Sequence, residues 1–191
     1  MMNKVLFFDI ETTEDGNSLR DIGAVSEDGS SIHTANRNTF ASFAADYKYL
    51  CGHNIISHDL KYVEAELQRT GKYYHIDTLY LSPLLFPSHP YHHLLKNDKL
   101  QSGDLNNPVN DSLKAKDLFF DEVTAFKRLN NRMQRIFCSL LYKRSEFNGF
   151  FKYLGMTPLP GIEISIRNEF RRHICSNANI RAYINEEPIA L

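Results

Sequence analysis

No run of eighteen consecutive apolar residues occurs in this chain, which excludes a membrane-spanning helix of ordinary length. The opening residues are not expected to be a secretory signal either. The short apolar run after Met1-Met2-Asn3-Lys4 already holds Asp9 and Glu11, so this opening belongs to the fold. Cysteine is scarce: Cys51, Cys138 and Cys175 are odd in number, widely spaced and form no CxxC or zinc-ligand pattern. That excludes a disulfide framework and reads as ordinary thiols of a reducing compartment, here the cytoplasm. Internal repeats and low-complexity tracts are absent too. What remains is 191 residues with 42% hydrophobic and 24% charged side chains, enough for one sizeable domain or a domain with a helical appendage.

The formal net charge of −1 hides an asymmetry. Residues 1–126 carry 11 Lys/Arg against 18 Asp/Glu, whereas residues 127–191 carry 11 against 5. An acidic body suits a site that gathers divalent cations. The basic segment (Lys127, Arg128, Arg132, Arg135, Lys143, Arg144, Arg167, Arg171, Arg172) suits a polyanion held nearby, and equally suits solvated helix faces.

The first half alternates strand-like and helix-like stretches, which predicts an α/β sheet with crossover helices. Val5 to Ile10 is a nearly continuous apolar run, as expected for a central strand covered on both faces. Leu19 to Val25 and Ser31 to Thr34 read as two more strands around an Asp28-Gly29 turn. Phe40, Phe43, Ala44 and Tyr47 recur at helical spacing. Tyr49 to Asn54 reads as a strand running into a loop, and Asp59 as the start of a helix that Gly71 closes. Tyr73 to Leu79 is predicted as a fifth strand, and residues 87–110 as a long loop. Asn107-Pro108 then caps and starts a helix to about Leu129, followed by helices at 132–143, 146–154 and 162–175. The expected organisation is a sheet domain over 1–130 and a basic helical extension over 131–191. The apolar ending at Leu191 suggests a piece of a longer polypeptide.

Three segments carry candidate chemistry. Asp9 and Glu11 lie two apart at the end of the first strand, so an extended backbone presents both carboxylates on one face. Side by side they repel unless a cation sits between them, and paired Mg²⁺ or Mn²⁺ ions held this way can align a phosphodiester for displacement. Asp59 follows the loop Gly52-His53-Asn54 at a helix N-terminus, whose positive end would face an anion; alone it reads equally as a cap. Asp111 lies in the first turn of the helix begun by Asn107-Pro108, with the small Ala115 one turn further on to permit close packing.

In this order, V-L-F-F-D-I-E-T-T, then G-H-N-I-I-S-H-D, then N-D-S-L-K-A-K-D-L-F resemble the three exonuclease motifs of the DEDD (DnaQ-like) superfamily. The intervening I-D-T-L-Y-L at Ile76 to Leu81 is similar to the strand after the second motif, and the resemblance covers about residues 4–126. It implies a ribonuclease-H-like mixed sheet flanked by helices, two Mg²⁺ or Mn²⁺ ions, and removal of nucleotides from a DNA 3′ end. Carried over, Asp9, Glu11, Asp59 and Asp111 would be the metal-binding, catalytic acids, and Thr12, His53 and Asn54 would meet the substrate, with His53 also reading as an anchor of its loop. The stretches L-S-P-L-L-F-P and P-Y-H-H-L-L-K are similar to those of a narrower group, found at the N-terminus of bacterial RecQ-like ATP-dependent helicases. That resemblance implies an attached helicase domain as a partner.

One departure matters. The superfamily places a basic histidine five residues, or a tyrosine four residues, before its last acid; here Asn106 and Asn107 occupy those positions. Neither amide takes a proton from water at neutral pH. A positioned base contributes about 10²–10⁴-fold, so its loss slows such an enzyme without dismantling the metal site. His58 and the pair His92-His93 are the substitutes to weigh, against packing roles for each. The expectation is therefore a metal-dependent 3′–5′ exonuclease on single-stranded DNA ends. The alternative is a catalytically weak nucleic-acid-binding or docking domain of a helicase that keeps the metal site. RNA or a small nucleotide as the substrate is a third reading, since metal chemistry does not choose the sugar.

Overall fold

A computed structural model of the chain describes residues 4–92, 94 and 107–186. Five strands, β1 (Val5–Thr12), β2 (Leu19–Ser26), β3 (Ser31–Thr34), β4 (Tyr49–Gly52) and β5 (Tyr74–Asp77), form one open sheet in the order β3-β2-β1-β4-β5. The β1–β2 and β2–β3 pairs are antiparallel, whereas β1–β4 and β4–β5 are parallel. Two helices supply the parallel crossovers: α1 (Arg37–Ala44) leads into β4, and α2 (Leu60–Thr70) leads from β4 to β5. The fold is thus α/β, with a five-stranded mixed sheet flanked by helices.

Strand alternation divides the interior. Leu6, Phe8 and Ile10 of β1 pack with Phe40, Ala41 and Ala44 of α1 and Val63 and Leu67 of α2. Val5 and Phe7 point to the opposite face, into a core with Phe119, Val123 and Phe126 of the long helix α4 (Pro108–Arg128). Asp9 and Glu11 share the parity of Val5 and Phe7, so β1 turns both carboxylates toward the face that α4 covers. The same core takes in Cys138 and Leu141 of α5 (Asn131–Leu141) and Phe147, Phe150 and Phe151 of α6 (Ser145–Tyr153). At Gly149, α6 lies so close to β5 that any β-carbon would collide with the carbonyl of His75. A smaller cluster of Ile136, Ile162, Ile166 and Ile180 holds α7 (Ile162–Glu169) and α8 (Ile180–Glu186) against α5.

Three element boundaries differ from the sequence expectation. The fifth strand ends at Asp77, and Thr78 begins α3 (Thr78–Leu85), because Asp77 caps that helix by accepting the Leu79 N–H at 3.0 Å. The helix expected over 162–175 ends at Glu169, and α8 follows after a turn. Residues 55–59 form a single π-helical turn that runs directly into α2, so Asp59 lies inside a continuous helical segment instead of starting one. Among the described residues, no helix is long and apolar enough to cross a membrane.

Candidate metal centre

The site lies at the carboxyl ends of the parallel strands, where open α/β sheets present their ligand crevice. One ligand oxygen from each of Asp9, Glu11 and Asp111 falls within 4.8 Å of the others, and all three residues are half-buried. The first two come from the end of β1, where the register with β2 shifts between Glu11 and Thr12. Irregularities of this kind re-aim side chains at the end of a ladder.

Asp111 reaches the pair because the first turn of α4 rests on β2. Gly23 is the register partner of Asp9, and a β-carbon there would collide with the backbone of Pro108 and Val109. Ser112, fully buried, donates its hydroxyl to the Gly23 carbonyl at 2.9 Å and approaches the Pro108 carbonyl at 2.7 Å. Asn107 caps the helix, its Oδ1 accepting the Val109 N–H at 3.0 Å. The amide standing at one expected base position is thus engaged in holding α4. Asn106, at the other, lies outside the described residues.

Asp59 is not within the 4.8 Å set. It is buried at 2% exposure, and its Oδ1 accepts the Ile10 N–H at 2.8 Å, beyond the point where β4 stops pairing with β1. It makes no helix-capping bond, which removes the capping alternative. Burial, reinforced by the negative charge of Asp9, pushes its carboxyl up to about 8. Lost hydration and a neighbouring anion both favour the proton.

The loop expected to face the substrate is held by a residue the sequence motifs left in the background. Asp77, fully buried, accepts the N–H groups of Asn54 at 2.8 Å, Ile56 at 2.9 Å and Leu79 at 3.0 Å. Burial raises its carboxyl despite the three donors. Asn54 is thereby fixed in the left-handed region, with φ of 68°. Asp77 thus takes the Ile56 N–H of the helical segment leading to α2 and the Asn54 N–H just before it. His53 Nδ1 stands 2.9 Å from Thr78 Oγ1, and that hydroxyl approaches the Gly52 carbonyl at 3.3 Å, so His53 ties β4 to α3. Thr12 is half-buried at the tip of β1.

Of the substitute bases, His58 stands closest to a site acid, with Nδ1 3.6 Å from Asp59 Oδ2 and its ring edge-on to Tyr62. His92 is engaged elsewhere, its Nδ1 2.9 Å from Ser82 Oγ in a ring stack with His89, which in turn stacks on Phe86. His93 lies outside the described residues. The donor set of the triad is all carboxylate oxygen, which suits hard divalent cations of the Mg²⁺ and Mn²⁺ kind over soft ones. The residues therefore fit such an ion.

Set against protein-family models, curated proteins and solved structures, the chain matches none of them. Fold and site define its class by geometry: an α/β chain with a five-stranded mixed sheet and an acidic triad that could hold a metal ion.

Proposed function

We propose that this chain is a metal-dependent 3′–5′ exonuclease of the DEDD kind, with a ribonuclease-H-like fold and DNA 3′ ends as substrate. The observation that carries the reading is the convergence of Asp9, Glu11 and Asp111 from two separate elements onto one point within 4.8 Å. The sheet order and the placement of the acids at its carboxyl edge are compatible with that fold. Bound there, Mg²⁺ or Mn²⁺ would offset the charge of the phosphodiester and ease the loss of a proton from the attacking water. The chain's own residues supply the rest. Asp9, Glu11 and Asp111 hold the ions, and Asp59 completes the acidic set from the π-helical turn, braced on the Ile10 N–H. His58, beside Asp59, is the group positioned to take up a proton.

The experiment is a time course on 5′-end-labelled single-stranded DNA with Mn²⁺ or Mg²⁺, comparing wild type with Asp9→Ala and Asp111→Ala. Metal-dependent shortening from the 3′ end that both variants lose by about 10³-fold supports the reading. Intact DNA in every lane, with binding retained, establishes the second reading instead, a catalytically weak docking domain of a helicase. The amide of Asn107, which caps α4, favours that alternative, because an amide is no proton acceptor at this position.

A further inference from the structure

Lys114 lies one turn beyond Asp111 on α4, and its Nζ stands 3.0 Å from Asp111 Oδ1. The Asp111 side chain is 14% exposed and that of Lys114 is 37% exposed, so the pair sits at the mouth of the triad. No sequence motif drew attention to this lysine. An ammonium at that distance draws on the carboxylate that a divalent ion would approach to about 2.0–2.1 Å for Mg²⁺. Two cations cannot share so small a space without strong repulsion. The lysine stem has four carbons and is partly exposed, so the ammonium can swing away while the helix stays in place. With a metal seated, the released ammonium is free to meet a substrate phosphate at the mouth of the triad.

We infer that Lys114 is a built-in counter-ion of Asp111: a divalent cation displaces it, and its released ammonium then contacts the substrate phosphate. Metal loading and nucleic-acid binding are coupled through this one side chain. The inference rests on the metal-dependent reading above. The ordinary alternative, a surface helix pair of small worth, predicts no effect on metal affinity. A lysine that merely orients Asp111 predicts weaker metal binding when it is removed. Competition predicts the opposite sign.

The test uses the full chain as wild type, Lys114→Met and Lys116→Met. Lys116 carries the same charge two residues further along the same helix, but its Nζ reaches the carbonyls of Ser26 at 2.9 Å and Glu27 at 3.1 Å, so it controls for a general loss of charge. Mn²⁺ binding is read by calorimetry, and binding of a fluorescein-labelled oligothymidylate by anisotropy in Ca²⁺. Expected for Lys114→Met are Mn²⁺ affinity about three- to fivefold tighter and a salt dependence of oligonucleotide binding shallower by about 0.7, with Lys116→Met unchanged in Mn²⁺ affinity. Unchanged or weaker Mn²⁺ binding in Lys114→Met overturns the inference, as does an unchanged salt dependence. If wild type binds Mn²⁺ and the variant matches it, only the inference falls. If folded wild type binds no Mn²⁺, the metal-dependent reading falls with it.

Discussion

The Ser112 hydroxyl donates to the carbonyl of Gly23 across 2.9 Å, so the first turn of α4 is fastened to the residue paired with Asp9. Strand register thereby fixes the distance between the two sources of the acidic triad. The fastening requires glycine, since the backbone of Pro108 and Val109 fills the place of a side chain.

Gly23→Ala should therefore push α4 off β2. We expect a loss of about 1–3 kcal/mol in chemical denaturation, together with at least about tenfold weaker Mn²⁺ binding by calorimetry, because Asp111 moves with the helix. Ser112→Ala keeps the close approach and should cost only about 1 kcal/mol. Equal metal affinity in Gly23→Ala and wild type would show that the triad does not depend on this contact.

Asp59 makes metal-free stability depend on pH. Its folded value of about 8 lies above the unfolded value of about 3.9. Between these values the native chain holds a proton that the unfolded chain has lost, so this contribution is complete below about pH 4 and disappears as pH rises through about 8. Melting followed by fluorescence in EDTA should show the midpoint falling from pH 5 to pH 8, with a shallower fall in Asp59→Asn. Parallel curves for the two proteins would remove Asp59 as the cause.

Glu122 gives a second, independent pH effect. It is fully buried on α4 with no hydrogen-bond partner for either oxygen among the described residues, and burial, with Asp77 and Asp121 adding repulsion, pushes its carboxyl up to about 10. A carboxyl left unsatisfied in a core is replaceable by an apolar side chain of similar size at a gain of about 1–3 kcal/mol. Glu122→Met should thus raise the melting midpoint. The sign is the same as for Asp59, since stability is lost as pH rises through about 10, so the gain should be larger at pH 9 than at pH 6. A destabilised variant would reveal a role for this acid beyond packing.

His58→Ala tests the proton acceptor. If His58 serves that role, kcat on single-stranded DNA falls by about 100-fold while Mn²⁺ affinity stays within about twofold, the pattern of a lost base at an intact metal site. An unchanged kcat would leave His58 with only its edge-on contact to Tyr62.

How much of this was readable beforehand varies by element. The central strand was plain from Val5 to Ile10, and its alternation already put Asp9 and Glu11 on one face. The start of α4 was equally plain in Asn107-Pro108, which carries Asp111 with it. The role of Asp77 was hidden, because its three donors come from positions 54, 56 and 79, and only the parallel pairing of β4 with β5 brings them together. The start of α3 was read as the end of a strand: its eight residues without charge show no clear period, and Pro83 inside the helix argues against helix locally. The cap alternative for Asp59 stayed open beside its reading as a metal-binding acid, because a short-range pattern cannot reveal that its partner is the Ile10 N–H, 49 positions away. Lys114 and Glu122 look like any solvated helix charges until the packing of α4 separates them.

Helix α4 carries Asp111 in its first turn and Lys127 and Arg128 in its last. At about 1.5 Å per residue, seventeen steps separate Asp111 from Arg128 by roughly 26 Å. The basic segment therefore begins a full helix length away from the acidic triad, and on the proposed function a strand touching both ends must span about eight stacked nucleotides at about 3.4 Å each. α4 is then a ruler. Oligonucleotides trimmed below that length lose their grip on the far end, so digestion should pause near an eight-nucleotide product instead of running to completion.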